Sequence, residues 1–554
     1  MMKKFTLLFL LFFLLKNATQ AQTIGLFFNN EQSYNGYTLF APSSNRTTYL
    51  IDNCGELINS WESNFFPGNS AYLLENGNLL RAARIPNSFQ GGGTGGRIEM
   101  YNWEGDLIWG YDYASDTYNQ HHDVEFLPNG NILLIAWDVR SQTEMIEAGR
   151  TPDNAHTVGV WSEKVVEIQP IGTDSAAIVW EWFLFDHLIQ DFDSTKSNFG
   201  IVADHPELLD INFGEPNSSL TGIDWIHFNA IDYNPQLDQI ILSSRHLSEI
   251  LVIDHSTTTA EAASHSGGNS GKGGDILFRY GNPQSYDRGN LLDQKYYGQH
   301  DAQWIPDGYP DAGKIMVYNN GSGRPSGNHS TVDIIDPPLE SDGNYTIQDG
   351  QPFGPSNLFW TYVANPPSSF FSSNISGAQR LHNGNTLICE GREGRIFEVN
   401  TSGDILWQYI NPVGSAGPAP QGTNLSNNAT FRAYRYGNDF PGFEGKDLTS
   451  QGSIELDPLP SNCVITNIDL IEFNNAITIL GNPVYDFLTI ENLETLELQI
   501  DIFDLTGRMI GSQISSDQII QHPVNDWNDG IYFVRIYIVN ENQFLTKKII
   551  KEGY

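Results

Sequence analysis

An internal repeat of two alternating elements constrains this chain more than any other feature of its sequence. One element is a hairpin in which two strand-like runs flank a turn, most clearly around an Asn-Gly pair, and such pairs suit turns that need positive φ. It occurs at residues 71–84, 123–138 and 377–394, and in looser form at 229–246 and 301–320. The alternation predicts an all-β fold assembled from copies of one unit.

The second element is a short strand rich in aromatic residues, such as DLIWGYDY. It occurs at 56–63, 106–113, 177–184, 275–282, 357–364 and 404–411. A further strand candidate, for example RIEMYNW at 97–103, lies between each hairpin and the next aromatic strand. Each unit therefore has four strands, the size of a propeller blade, and the repeat predicts a six-bladed β-propeller.

The missing sixth hairpin is explained by the two ends of the repeat region. Strand candidates at 37–42 and 47–53 precede the first aromatic strand, and a candidate innermost strand at 430–439 follows the last one. A blade completed by both ends would close the ring and remove its open sheet edges. We therefore place the propeller at 22–451, with long face loops at 185–222 and 255–274.

The first residues have the pattern of an export signal. Lys3 and Lys4 precede an apolar run at 5–15, and the small residues Ala18 and Ala21 follow it, which predicts a signal peptide at 1–21. The run of about 11 residues is too short to span a bilayer, which needs about 20. We expect an exported protein with no membrane span.

The last part of the chain has a different pattern. After a linker predicted at 452–467, residues 468–554 contain several alternating strands, which favours a small β-sandwich. Four features of this part resemble the C-terminal sorting domain of bacterial type IX secretion: Asn482-Pro483, the Asp504–Gly507 turn, the strand from Gly530, and Lys547, Lys548 and Lys551 near the end. The resemblance implies export by the type IX secretion machinery, followed by release or surface attachment.

Charge and cysteine content argue against several classes of function. The formal net charge of −37 disfavours binding to nucleic acid or to anionic membranes. Three cysteines cannot form a disulfide framework, although Cys54 and Cys463 flank the propeller and can pair. Cys389 lies in an apolar stretch and is predicted to be buried. No cysteine spacing indicates a metal site.

Histidines occur where the first strand of a unit begins in three consecutive units. They are His121 and His122 before DVEF, His227 in WIHFNAIDY and His300 in GQHDAQW. The other units have small or amide residues at this point, so the repeat itself does not require histidine. First strands line the channel of a propeller, and we expect these imidazoles to meet near its axis.

Arg245 belongs to the same predicted site, because it ends the hairpin that begins near His227 and Asn229. Three histidines alone are compatible with a zinc ion that keeps an open fourth position. A permanently charged guanidinium opposes a cation and favours an oxyanion. Imidazole is also a competent nucleophile near neutral pH. The residues therefore predict an anion-transfer site.

The motifs HHDVEFLPNGN, WIHFNAIDY, LSSRH and GQHDAQW, in this order, resemble those of bacterial arylsulfate sulfotransferases over about residues 35–440. The resemblance implies transfer of a sulfuryl group from a phenolic sulfate ester to another phenol, with no nucleotide sulfate donor and no cofactor. It implies that His300 is the nucleophile that is transiently sulfurylated. The residues implied to hold the sulfate oxygens are His227, Asn229, Arg245 and one of His121 or His122.

Three residues at inner-strand ends are candidates for contact with the aromatic ring of the substrate: Trp137, Tyr318 and Asn319. Three further histidines fall outside the register and are expected to be structural or solvated: His246, His255 and His382. Two other functions stay open. One is a propeller that binds sulfated or carboxylated ligands without turnover, and the other is a metal-dependent hydrolase or lyase with histidine ligands.

Overall fold

The computed structural model describes residues 22–214, 222–459, 463, 477–493, 495–504, 508–538 and 544–551. The predicted signal peptide at 1–21, much of the linker and residues 505–507 of the predicted turn lie outside the described residues. The chain divides into two compact units, 1–462 and 463–554. Strands predominate in both, which confirms the all-β class.

Six antiparallel sheets follow one another along the described part of the first unit. In hydrogen-bonding order, the first three consist of Phe66–Leu73, Leu79–Arg84, Gly96–Tyr101 and Leu107–Asp112; Tyr118–Phe126, Ile132–Arg140, Val160–Ile171 and Ser175–Phe183; and Phe228–Asn234, Gln239–Ser244, Glu249–Asp254 and Phe278–Tyr280. The last three consist of His300–Trp304, Ile315–Asn319, Thr331–Ile335 and Trp360–Tyr362; Gly377–Arg380, Thr386–Glu390, Arg395–Val399, Ile405–Ile410 and Gly25–Asn29; and Thr430–Gly437, Gly36–Pro42, Thr47–Ile51 and Leu57–Glu62.

Both ends of the repeat region contribute to the sixth sheet, as predicted, because Thr430–Gly437 pairs with Gly36–Pro42. The strand Gly25–Asn29 was not predicted. It pairs with Ile405–Ile410 and so covers the outer edge of the fifth sheet, where unpaired backbone groups would otherwise invite association.

The remaining described elements are short. Two-residue strands pair Leu188–Ile189 with Leu209–Asp210 and Val413–Gly414 with Gly417–Pro418. The described helical segments are the α-helices Gln142–Glu147 and Thr259–Ala262 and the 3-10 turns Pro152–Asn154, Leu184–Asp186, Val202–Asp204, Pro283–Tyr286, Pro367–Ser369, Gly391–Glu393 and Pro441–Phe443. None of these described helices is long and apolar enough to cross a membrane.

Tryptophans of the aromatic strands connect neighbouring sheets. Four of them donate their indole N–H to a backbone carbonyl in or next to the following sheet: Trp61 to Asn102 (2.8 Å), Trp109 to Ser175 (2.9 Å), Trp182 to Gly274 (2.7 Å) and Trp407 to Asn53 (2.7 Å). A large ring is thereby buried between sheets while its polar N–H keeps a partner. This double role explains why the aromatic element recurs in the sequence.

The first strand of each sheet contacts the first strands of its two neighbours, and the first strand of the sixth sheet contacts that of the first sheet. Register shifts interrupt these strands in five of the six described sheets, and those in the second, third and fourth sheets lie next to predicted site residues. Nearby, His122, His227 and Asp301 have φ angles of 52°, 57° and 55°. Such bulges redirect side chains, and here they occur where the predicted site residues lie.

The second unit contains two sheets that share one apolar cluster, including Leu488, Ile490, Ile500 and Val534. Their strands are Ile477–Leu480, Phe487–Asn492 and Ile519–Pro523 in one sheet, and Met509–Ser515, Leu498–Asp504, Gly530–Ile538 and Phe544–Lys551 in the other. Cys389 is buried, as predicted, and free.

Candidate functional site

His121 and His122 lie side by side in Tyr118–Phe126 but have different surroundings. His121 is fully buried, with its Nε2 2.9 Å from Oε2 of Glu163 and its Nδ1 2.9 Å from Nδ1 of His122. Its ring also stacks on Trp137 at 4.3 Å. Both of its nitrogens are therefore occupied, whereas Nε2 of His122 has no hydrogen-bond partner within the described part of the chain. Of the two, His122 is the one that can reach a ligand.

Glu163 sets the proton positions along this chain of hydrogen bonds. Burial raises the pKa of Glu163 well above its usual range, which favours a protonated carboxyl that donates to Nε2 of His121. In that arrangement His121 donates from Nδ1 to His122, which has its own proton on Nε2. Burial, together with the charge of His227, lowers the pKa of His122 well below its usual value. His122 therefore offers a neutral N–H donor.

His227 is held by a carboxylate. Its Nδ1 lies 2.6 Å from Oδ2 of Asp224, and its ring centroid is 4.7 Å from that of His122. Burial acts to raise the pKa of Asp224, but the hydrogen bond from His227 and its charge hold that pKa below the usual value. An ionised carboxylate therefore fixes Nδ1–H, as in other carboxylate–imidazole pairs. Nε2 of His227 has no partner among the described residues.

Arg245 lies next to His227 because the two residues are at the two ends of one hairpin. The backbone N–H of Arg245 donates to the carbonyl of His227 at 3.1 Å. Its guanidinium makes no hydrogen bond and no ion pair within the described residues. Burial lowers the pKa of Arg245, yet a guanidinium stays charged in proteins. A partly buried, unpaired positive charge in so acidic a chain favours an anionic ligand.

His300 has a defined tautomer. Its Nδ1 lies 2.7 Å from Oδ1 of Asn320, and the Asn320 amide nitrogen donates to the carbonyls of Ser372 and Ile375. Oδ1 of Asn320 is therefore an acceptor, and His300 carries its proton on Nδ1. Burial, followed by the charge of Arg245, lowers the pKa of His300 well below its usual value. The Nε2 lone pair accepts the Ile375 N–H at 3.1 Å, so this hydrogen bond must break before Nε2 can act as a nucleophile.

The other predicted site residues are enclosed by protein. Trp137, Tyr318 and Asn319 have no exposed surface, so a substrate ring cannot reach them unless protein atoms move. Trp137 instead supports His121 from behind. Asn229 is also buried and gives one amide N–H to the carbonyl of Gln299 at 2.8 Å. Its predicted role in holding a sulfate oxygen stays a prediction.

A glycine-rich loop between strands of the first sheet contacts His122 and was not recognised from the sequence. His122 donates its backbone N–H to the carbonyl of Gly93 at 2.8 Å. A Cβ on Gly93 would lie 2.0 Å from Cε1 of His122, and one on Gly92 would lie 3.8 Å from Cε1 of His227. The run GGGTGG signals such a close backbone approach.

Arg432 forms a second charged group beside the histidines, and it too was missed. Its guanidinium pairs with Asp123 at 2.6 Å and with Asp301 at 3.0 Å. Two further bonds, from Arg432 to the Asn229 carbonyl and from the Ala378 N–H to Asp301, extend the network. Tyr72 donates to Asp123. Every one of the six sheets contributes to this network.

The histidines expected to be structural have partners of their own. His246 donates its Nδ1–H to the backbone carbonyls of Asp224 and Trp225, and its ring stacks on that of His227 at 4.9 Å. It therefore lies closer to the site than predicted. Hydrogen bonds to Asp238 and Glu167 outweigh burial and raise the pKa of His255 to about 9. His382 is exposed and stacks on Tyr309.

Comparison with known families assigns a family to each of the two units. The family model described as Arylsulfotransferase (ASST) matches residues 15–411. The chain therefore belongs to the arylsulfotransferase family, which supports aryl sulfotransferase activity in general. The model described as Secretion system C-terminal sorting domain matches residues 478–552, so the second unit carries a type IX sorting domain, which supports secretion and a surface location. No curated protein matches the chain.

Solved structures with detectable similarity are distant. A protein of unknown function from Bacteroides caccae is 12% identical over 73% of this chain and 99% of its own, with a TM-score of 0.39. The Cps50 (Swd1) β-propeller domain of Myceliophteria thermophila is 8% identical over 71% and 87%, with a TM-score of 0.32. A Staphylococcus aureus virginiamycin B lyase is 10% identical over 71% and 89%, with a TM-score of 0.31. The family assignment therefore rests on the sequence match.

Proposed function

We propose that the six sheets are the blades of a closed propeller, within residues 22–451, and that its axial site transfers a sulfuryl group between phenols through sulfurylated His300. The observation that carries this proposal is the meeting of two features. A neutral imidazole with its lone pair on Nε2 lies beside an unpaired guanidinium. Two more imidazoles nearby have unoccupied Nε2 atoms, which suits the binding of three sulfate oxygens.

In the first half-reaction, Nε2 of His300 attacks the sulfur of an aryl sulfate, and the hydrogen bond from Ile375 is replaced by the new N–S bond. The S–O bond to the aryl group breaks as the phenolate leaves. We assign to Arg245 and His122 the stabilisation of charge on the sulfuryl oxygens. Asn320 accepts from Nδ1–H and so stabilises the positive charge that the ring acquires. Protonated His227 gives its proton to the leaving phenolate.

In the second half-reaction, His227 is neutral and takes the proton of the acceptor phenol. The phenol oxygen attacks sulfur, the N–S bond breaks, and His300 recovers its lone pair. Asp224 stabilises the His227 imidazolium in both directions. One histidine thus serves as acid and then as base, and the covalent intermediate implies ping-pong kinetics. Loose transfer of this kind depends chiefly on positioning and charge stabilisation, by analogy with phosphoryl transfer.

The geometry favours this proposal over the two alternatives. Within the described part of the chain, the group of side chains close enough to hold a metal is His187, His265 and Asp275, and it includes no residue of the axial site. A binding-only propeller would not need a histidine whose tautomer leaves its Nε2 unprotonated, as the hydrogen bonds from Nδ1 to Asn320 and from Ile375 to Nε2 do for His300. We also keep 452–467 as the linker and 468–554 as the sorting unit, with removal of 1–21 on export.

Turnover of p-nitrophenyl sulfate with phenol as acceptor tests the proposal. We expect nitrophenol release by the wild-type protein and a loss of at least about 10⁴-fold in His300→Ala, since the nucleophile is removed. His382→Ala is the matched control, because His382 is an exposed histidine outside the site. Wild-type release no faster than that of His300→Ala would refute the sulfotransferase and leave a binding function.

A further inference from the structure

A second histidine cluster lies where the two long insertions meet. His187 follows the turn that ends the second sheet, and His265 and Asp275 lie between the last two strands of the third sheet. One nitrogen of each imidazole and one oxygen of the carboxylate all lie within 4.8 Å of one another. The axial site does not use this cluster.

Both ring nitrogens of His187 face acceptor oxygens, so a positive charge, from a proton or a cation, is needed between Nδ1 and Asp275. Its Nε2 lies 2.8 Å from the carbonyl of Ala262, and its Nδ1 lies 2.8 Å from Oδ1 of Asp275. Both partners are acceptors, but a neutral imidazole has only one N–H. The carbonyl of Ala262 fixes that N–H on Nε2, so a lone pair on Nδ1 faces the carboxylate. Nδ1 of His265 approaches the same oxygen at 2.7 Å.

Two of the three side chains are fixed in advance. His187 has no exposed surface and stacks in parallel on Trp182 at 5.5 Å, while Asp275 is almost completely buried. A Cβ on Gly274 would lie 2.7 Å from Nε2 of His187, so only glycine permits this approach. Little conformational entropy is therefore lost when these two groups bind an ion.

We propose that His187, His265 and Asp275 bind one divalent transition-metal ion of the zinc type, which ties the insertion at 185–222 to the insertion at 255–274. Two imidazoles and one carboxylate suit zinc better than calcium or magnesium, which prefer oxygen ligands. The bond from His187 to a backbone carbonyl is the usual support of a metal-bound histidine.

The proposed ion needs only a small adjustment. A tetrahedral ion with bonds of about 2.0–2.2 Å holds its ligand atoms roughly 3.4 Å apart. The 2.7 Å distance from His265 to Asp275 can lengthen because 62% of the His265 side chain is exposed. The 2.8 Å distance between the buried His187 and Asp275 must lengthen by about 0.6 Å. His265 also lines a cavity of about 590 Å³ with Asp186 and His205, from which water can complete the coordination.

Cobalt titration of the full chain, first freed of metal with a chelator, tests this site. We expect one equivalent of Co²⁺ to give the visible absorption of a low-coordinate cobalt centre, and Zn²⁺ to displace it. His265→Ala should weaken binding by about 100-fold or more, whereas His205→Ala, a change in the same cavity, should have no effect. Unfolding temperatures of the metal-free proteins show whether the variants are folded. Zn²⁺ should raise the unfolding temperature of the wild type and of His205→Ala, and it should not raise that of His265→Ala.

Two results would overturn the metal site. One is the absence of stoichiometric Co²⁺ and Zn²⁺ binding by the wild type, which would mean that protons alone neutralise the cluster. The other is unchanged affinity in folded His265→Ala. Neither result bears on sulfuryl transfer, because the cluster shares no residue with the axial site.

Discussion

Two arginines near the axis of the first unit have opposite surroundings. Arg432 is buried and ion-paired with Asp123 and Asp301. Burial acts to lower the pKa of Arg432, but the charges of the two carboxylates outweigh it and raise the pKa. Arg245 is only partly buried and has no side-chain partner among the described residues. A charge that is fully paired inside the protein serves the architecture, whereas an unpaired one is available to a ligand. We therefore assign Arg432 to the structure of the first unit and Arg245 to the proposed reaction.

Removing the structural arginine gives the largest expected effect on stability. Arg432→Met leaves two buried carboxylates without their partner, and we expect the unfolding free energy of the first unit to fall by about 3–5 kcal/mol. Urea unfolding followed by tryptophan fluorescence measures it. The triple variant that also carries Asp123→Asn and Asp301→Asn should recover part of the loss. A stability of Arg432→Met equal to that of the wild type would contradict a structural role.

Removing the reactive arginine should affect catalysis and spare the fold. We expect Arg245→Ala to lower kcat/KM for aryl sulfate transfer by about 10²–10³-fold, the usual loss for one charge-stabilising donor. Its unfolding free energy should change by less than about 1 kcal/mol, since no hydrogen bond or ion pair is lost. A large loss of stability with little loss of activity would reverse the roles assigned to the two arginines.

Glu163 should behave as a positioning residue that acts through His121 on His122. Glu163→Gln can still donate to Nε2 of His121, as the protonated acid does, and we expect its kcat/KM to stay within a few-fold of the wild type. Glu163→Ala breaks the chain of hydrogen bonds and should lose about 10–100-fold. Equal losses in the two variants would mean that an ionised Glu163 is required and that the proton positions are assigned wrongly.

The smallest effect concerns pH. Burial and the charge of Arg245 lower the pKa of His300 below 6.5, so the nucleophile stays unprotonated and the acid limb of kcat/KM should lie below pH 6.5. In Arg245→Ala one of these causes is gone, and the limb should move to higher pH by less than about one unit. Arg245→Lys keeps the charge and should not move it. An acid limb at or above pH 6.5 in the wild type would argue against a buried neutral His300.

The repeat made much of the first unit predictable, because strand order and the sheet shared by both ends follow from local patterns. The strand Gly25–Asn29 was missed because it is the fifth in its sheet, where the repeat has four. The connections between the predicted site residues could not be predicted from the sequence. The φ of 52° at His122 gives His121 and His122 different surroundings, and a local sequence motif does not show this difference. Glu163 contacts His121, and Arg432 contacts Asp123 and Asp301. These residues are far apart in the sequence and meet only after the sheets have formed.

Mass spectrometry of the intact protein after brief exposure to p-nitrophenyl sulfate, without an acceptor, tests the central claim most directly. Transfer through His300 predicts a gain of one SO₃ group that maps to this residue, is absent in His300→Ala and disappears when phenol is added. Nitrophenol release with no such adduct, or an adduct on a different residue, would contradict it.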